Sequence, residues 1–94
     1  MNAEKIGFVG LGRMGLRMAL RLIDSYRVYG TDRAVSLQQS VREKGVNWID
    51  DSTSLARICR HIFVVVGTES EVTEIIFGER GLISGIASDN TIVI

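Results

Sequence analysis

Lys5-Ile6-Gly7-Phe8-Val9-Gly10-Leu11-Gly12-Arg13-Met14-Gly15 decides the fold of this chain. An apolar run of strand character leads into a G-x-G-x-x-G pattern at Gly10, Gly12 and Gly15. A helix-like segment follows at once. A dinucleotide site needs that order: one glycine for a tight turn, one for close approach of a pyrophosphate to the backbone, one for close packing of helix on strand. The phosphates would sit on the unpaired N–H groups of the helix N-terminus, at the favourable end of its dipole.

Glycine patterns recur by chance in a chain with 10 glycines, so the surroundings carry the argument. A second strand-like segment, residues 27–31, runs into Asp32-Arg33, and Asp32 stands seventeen residues after Gly15. That is close to where a Rossmann unit carries the acid that bonds the adenosine ribose. Arg13, Arg17 and Arg21 form a basic stripe at every fourth position. A solvated face accounts for it, although a cation in the first turn opposes the helix dipole. A bound pyrophosphate would relieve that cost and makes Arg13 a phosphate-contact candidate.

The remaining pattern alternates strands and helices. Residues 5–10 read as a buried strand and 13–24 as a helix with Met14, Met18, Leu22 and Ile23 toward the core. A helix over 34–44 stops at Gly45, and a short third strand covers 46–49. Asp51 or Ser52 caps a helix containing Leu55, Ala56, Ile58 and Cys59. Residues 61–66 form a strand apolar on both faces, as a central parallel strand should be. Thr68-Glu69-Ser70-Glu71 matches a capping box and opens a helix through Phe77, stopped by Gly78. Residues 81–87 read as a loop with a helical turn, 88–90 as a turn, and 91–94 as the start of a fifth strand. The expected fold is α/β: a Rossmann-like, doubly wound parallel sheet of about five strands, order 3-2-1-4-5. Ligand would lie beyond the carboxyl ends of strands one and four, between the loops 10–15 and 66–71.

Composition narrows the function classes. The chain has 94 residues, 46% hydrophobic and 23% charged, enough for one small globular domain. Eleven basic and eleven acidic side chains cancel, so there is no electrostatic case for nucleic acid or an anionic membrane. No apolar run approaches the ~20 residues of a membrane span. Met1 to Lys5 leads straight into a strand and does not read as a signal peptide. The single cysteine, Cys59, cannot close an internal disulfide. Together these point to a cytoplasmic setting. Cys59 reads as core rather than nucleophile. His61 lacks the partners of a metal ligand. Trp48 reads as edge packing, and Glu69, Glu71 and Glu74 as acids favoured in early helical turns.

The stretch from Ile6 to Gly15, followed by Met18-Ala19 and Leu22, resembles the N-terminal signature of the β-hydroxyacid dehydrogenases. These include 3-hydroxyisobutyrate dehydrogenase, tartronate semialdehyde reductase and 6-phosphogluconate dehydrogenase. Residues 71–85 resemble the segment after strand four in the hydroxyisobutyrate branch. The resemblance covers all of this chain but only about the first third of a family member. We therefore expect residues 1–94 to be the N-terminal part of an NAD(P)-binding domain that ends within strand five, without the helical substrate domain.

The resemblance implies oxidation of a small β-hydroxy acid by hydride transfer to a nicotinamide, and a homo-oligomer at full length. The family's catalytic lysine and glycine-rich substrate motif fall beyond Ile94. Neither Lys5 nor Lys44 matches, so no catalytic residue is assigned and the 94-residue piece is expected to be inactive alone. By family position the cofactor contacts are Gly10, Leu11, Gly12, Arg13, Met14, Gly15, Asp32, Arg33, Val66, Gly67, Thr68 and Glu71. Val66-Gly67 stands where most members have Leu-Pro, Arg21 where many have Asn, and the connection before strand two is slightly shorter. Asp32 favours NAD, since a carboxylate repels a 2′-phosphate. Arg33 is the residue that would pair with that phosphate in NADP. NAD is placed ahead of NADP. The alternatives are a non-catalytic nucleotide-sensing module, a degenerate remnant, and another Rossmann enzyme of ketopantoate-reductase type.

Overall fold

The computed structural model describes residues 4–94. Met1, Asn2 and Ala3, on which the signal-peptide reading partly rests, lie outside the described residues. The elements follow in the order β1 Lys5–Val9, α1 Arg13–Leu20, β2 Arg27–Thr31, α2 Gln38–Glu43, β3 Asn47–Trp48, α3 Ser52–Ile58, β4 His61–Val64, α4 Glu69–Phe77 and β5 Thr91–Val93. Single 3-10 turns cover Val35–Leu37 and Leu82–Ser84. The five strands form one parallel sheet in the order β3-β2-β1-β4-β5, the topology expected from the alternation.

Alternate residues of the central strands divide the core in two. Ile6 and Phe8 of β1 point to one face, with Ala19 of α1 and Val41 of α2. Val9 points to the other, with Leu55, Ala56 and Cys59 around α3 and with Ile62 and Val64 of β4. Gly7, also on that face, leaves just enough room, since a Cβ there would stand 3.1 Å from Leu55. The rings of Phe8 and Phe63 stack at 5.2 Å across β1 and β4.

The first helix departs from expectation. It ends at Leu20 rather than at residue 24, because the Arg21 and Leu22 N–H groups bond three residues back, to Met18 and Ala19, and tighten the chain into turns. Met14 and Met18 do not face the core and are 67% and 38% exposed. The inward stripe is Gly15 and Ala19, buried, flanked by Leu16 and Leu20. Two small residues one turn apart let α1 lie close against β1, and that contact sets the rotation of the helix.

The second helix is also shorter than expected. The Val35–Leu37 turn takes the place of its first turn, and α2 begins only at Gln38. Its end follows the expectation: Gly45 has φ +101°, its N–H bonds the Arg42 carbonyl, and the Val46 N–H reaches the Val41 carbonyl. This is the Schellman arrangement that satisfies the last carbonyls of a helix. Asp51, not Ser52, caps α3 by accepting the Ser54 N–H at 2.8 Å. Strands three, four and five are each shorter than read, because pairing stops at Trp48, Val64 and Val93.

Candidate functional site

The three glycines of the β1–α1 turn have three different surroundings. Gly10 has φ +100°, and a Cβ on it would overlap the Val65 carbonyl oxygen. The chain can therefore turn there only with glycine. A Cβ on Gly15 would overlap the carbonyl oxygen of Gly10, so helix and turn touch backbone to backbone. Gly12 has nothing within 4 Å of its would-be Cβ. Packing does not demand a glycine at that position, and its bare backbone faces open space. The first helical hydrogen bond joins Leu16 N–H to the Gly12 carbonyl at 2.9 Å. No side chain caps α1, so the N–H groups of its first turn have no side-chain acceptor there.

Asp32 holds this turn from the side. One carboxylate oxygen accepts the Leu11 N–H and the other the Ala34 N–H, both at 2.8 Å. Gly10 N–H donates to the Thr31 carbonyl at 3.0 Å, so the end of β2 and the glycine turn are tied twice. Each carboxylate oxygen keeps a second lone pair for a hydroxyl. Leu11 contributes to the site through its backbone only. Its side chain is buried under Gly30, where a Cβ would stand 2.8 Å from a Leu11 methyl. Gly30 is a site-forming residue that the motif did not single out.

A cleft of about 270 Å³ opens at the carboxyl ends of the strands. Of the residues singled out in the sequence, Gly10, Asp32, Arg33, Val66 and Glu71 line it. Asp50, Asp51, Glu74, Glu79 and Arg80 also line it and were not expected. Asp50 and Asp51 follow β3, and the rule that ligands collect at carboxyl ends of parallel strands would have pointed to them. Glu79 and Arg80 had no local signal. The chain places them there by docking the turn after α4 onto α3: Thr53 N–H bonds the Arg80 carbonyl at 3.1 Å, and the Thr53 hydroxyl donates to the Gly81 carbonyl at 2.6 Å. Arg80 holds a left-handed conformation, φ +61°.

Across the cleft from Asp32, the β4–α4 turn carries Thr68 and Glu71. The Thr68 hydroxyl accepts the Glu71 N–H at 3.2 Å and caps α4. It also lies 3.2 Å from a Glu71 carboxylate oxygen, so the expected capping box closes side chain to side chain. The other oxygen of Glu71 pairs with the Arg33 guanidinium at 3.8 Å. Gly12, Arg13, Met14, Gly67 and Thr68 are exposed around the cleft but do not line it. The predicted residues thus fall into a turn that presents N–H groups and a cleft between the β2 and β4 ends.

Cys59 is buried, and burial pushes its thiol up to about 12, which leaves it a core residue. His61 pairs with Glu4 at 3.3 Å. Among the described residues no group of three or more His, Cys, Asp or Glu side chains could hold a metal.

A parallel 3-2-1-4-5 sheet, an open glycine turn at an uncapped helix N-terminus and a carboxylate after β2 define a Rossmann NAD(P)-binding domain. The chain belongs to the family described as the NAD binding domain of 6-phosphogluconate dehydrogenase, whose profile matches residues 5–94. The oxidoreductase YkwC of Bacillus subtilis, itself uncharacterized, is 37% identical over 85% of this chain and 28% of its own length. The probable 3-hydroxyisobutyrate dehydrogenase-like 1 of Arabidopsis thaliana is 32% identical over 95% of this chain and 27% of its own. Among solved structures, Psf3 in complex with NADP+ and 2-OPP superposes with a TM-score of 0.83 at 28% identity, over 93% of this chain and 31% of Psf3. The two curated relatives are an oxidoreductase and a probable dehydrogenase by name, and the chain spans under a third of the length of all three proteins. No helix among the described residues is long and apolar enough to cross a membrane.

Proposed function

We propose that this chain is the cofactor-holding part of an NAD(P)-dependent dehydrogenase that oxidises a small β-hydroxy acid, as 3-hydroxyisobutyrate dehydrogenase does. The observation that carries the reading is the contrast among the three glycines. Gly10 and Gly15 are demanded by packing, whereas Gly12 is bare toward solvent beside uncapped N–H groups. That contrast is the signature of a backbone shaped for a phosphate rather than for a turn alone.

In this reading the N–H groups of Gly12 to Gly15 bind the pyrophosphate, with Arg13 beside them. Met14, exposed beside this turn, is a further contact. Asp32 accepts the ribose hydroxyls through its free lone pairs, Arg33 and Glu71 flank the adenosine, and Val66, Gly67 and Thr68 face the nicotinamide half. NAD is preferred to NADP because the Asp32 carboxylate opposes a 2′-phosphate. A dinucleotide held by these residues would supply the nicotinamide as hydride acceptor for the hydroxy acid. No residue of this chain handles the hydroxyl proton, which is left to a lysine in a following helical domain that also completes a homo-oligomer. The setting is cytoplasmic, with no nucleic-acid or membrane partner.

Calorimetric titration of the 94-residue chain with NAD+ and NADP+ tests the reading, together with absorbance assays for NADH in the presence of 3-hydroxyisobutyrate. Binding of NAD+ ahead of NADP+ without turnover is expected. A cooperatively folded chain that binds neither dinucleotide would overturn the cofactor role, and NADH release would overturn the assignment of catalysis to residues outside this chain.

A further inference from the structure

The geometry points to Glu71 as a residue that sets the choice between NAD and NADP, by holding the Arg33 guanidinium in an ion pair across the mouth of the cleft. The inference rests on the dinucleotide reading above. Arg33 follows Asp32, whose carboxylate is pinned to the Leu11 and Ala34 N–H groups. Arg33, the cation that follows β2, thus projects from a fixed point. Its guanidinium is 87% exposed, and its ion-pair partner is Glu71, at 3.8 Å.

Glu71 is the anchored member of the pair. Its N–H bonds the Thr68 hydroxyl, and one carboxylate oxygen lies 3.2 Å from that same hydroxyl. Its side chain is 32% exposed. Arg33 is therefore the arm that swings and Glu71 the post to which it is tied. A ribose placed at Asp32 brings its 2′ position beside this pair. An NAD ribose needs nothing from Arg33. A 2′-phosphate brings close to two negative charges to a cleft lined by Asp32, Glu71 and Glu74 as well as by Arg33 and Arg80, and it can gain Arg33 only by taking it from Glu71. Glu71 thus opposes NADP twice, by repulsion and by competition for the Arg33 guanidinium, a group suited to bidentate phosphate binding.

The test is a double-mutant cycle on the 94-residue chain, with NAD+ and NADP+ titrated into wild type, Glu71→Gln, Arg33→Ala and the double variant. Gln preserves the shape and the helix-capping pattern and removes the charge. Exposed ion pairs shift an equilibrium by no more than about fivefold, and the lifted repulsion adds to that. Glu71→Gln should therefore raise the ratio of NADP+ to NAD+ affinity about five- to tenfold. With Arg33→Ala in the background the gain should fall to about twofold.

An unchanged NADP+ to NAD+ ratio in Glu71→Gln would overturn the inference, as would an equal gain with and without Arg33. Both results leave the dinucleotide site standing. Failure of folded wild type to bind either dinucleotide overturns the site reading itself, and this inference with it.

Discussion

The carboxylate of Asp32 accepts the backbone N–H of Leu11 at 2.8 Å, across twenty-one positions of sequence. The acid after β2 therefore has a structural duty, fixing the glycine turn, in addition to the ribose contact proposed for it. The two duties use different lone pairs and do not exclude each other. They separate under substitution.

Asp32→Ala should lower stability by about 2 kcal/mol, because the Leu11 and Ala34 N–H groups both lose a charged acceptor. Asp32→Asn, with one oxygen left, should recover part of this. Both variants should lose the preference for NAD+. Urea denaturation beside calorimetry checks the pair. Full stability in Asp32→Ala would mean that the turn holds without the carboxylate.

Gly12→Ala and Gly15→Ala should fail in opposite ways. The Gly12 variant meets open space and should keep stability within about 1 kcal/mol, yet bind NAD+ about tenfold more weakly because its methyl occupies the phosphate approach. The Gly15 variant drives a methyl into the Gly10 carbonyl and should lose about 3 kcal/mol or more. Thermal melts with and without NAD+ distinguish them.

Asp51 caps α3, and the Ser54 N–H it accepts holds its carboxyl below the ordinary value of 3.8. A folded pKa below the unfolded one gives stability that is present above the unfolded value and lost as pH falls through the folded one. Asp51→Ala should therefore cost about 1 kcal/mol at neutral pH. The gap between variant and wild type should close toward about pH 2. A gap that persists in acid would assign the effect to packing.

Cys59 should resist thiol reagents in the native protein at about pH 8, because burial raises its thiol to about 12 and keeps it protonated. The rate of labelling should rise with urea in step with the unfolding transition. Fast labelling of the folded chain would show that the α3 face of the core opens.

Much of the fold was legible because its signals are local. Apolar runs of strand length alternate with segments closed by Gly45 and Gly78 or opened by Asp51 and Thr68, and each signal acts within four or five residues. Errors arose where a neighbour decided. The spacing of Met14 and Met18 suits an inward stripe as well as that of Gly15 and Ala19 does. Only the contact of Gly15 with the Gly10 carbonyl selects the second. In the site, the glycines and Asp32 were readable from their spacing. Gly30 was not, because it matters through Leu11, nineteen positions away.

The chain's own order of residues determined its topology, its capping and the position of the glycine turn, since these follow from spacing, propensity and the handedness of parallel crossovers. Tertiary structure decided which face of α1 is buried, that Asp32 is bound to Leu11, that Arg80 reaches the cleft and that Arg33 is paired with Glu71. Each of these joins residues far apart in the chain, and side-chain contacts of that kind are set only when the sheet brings the strand ends together.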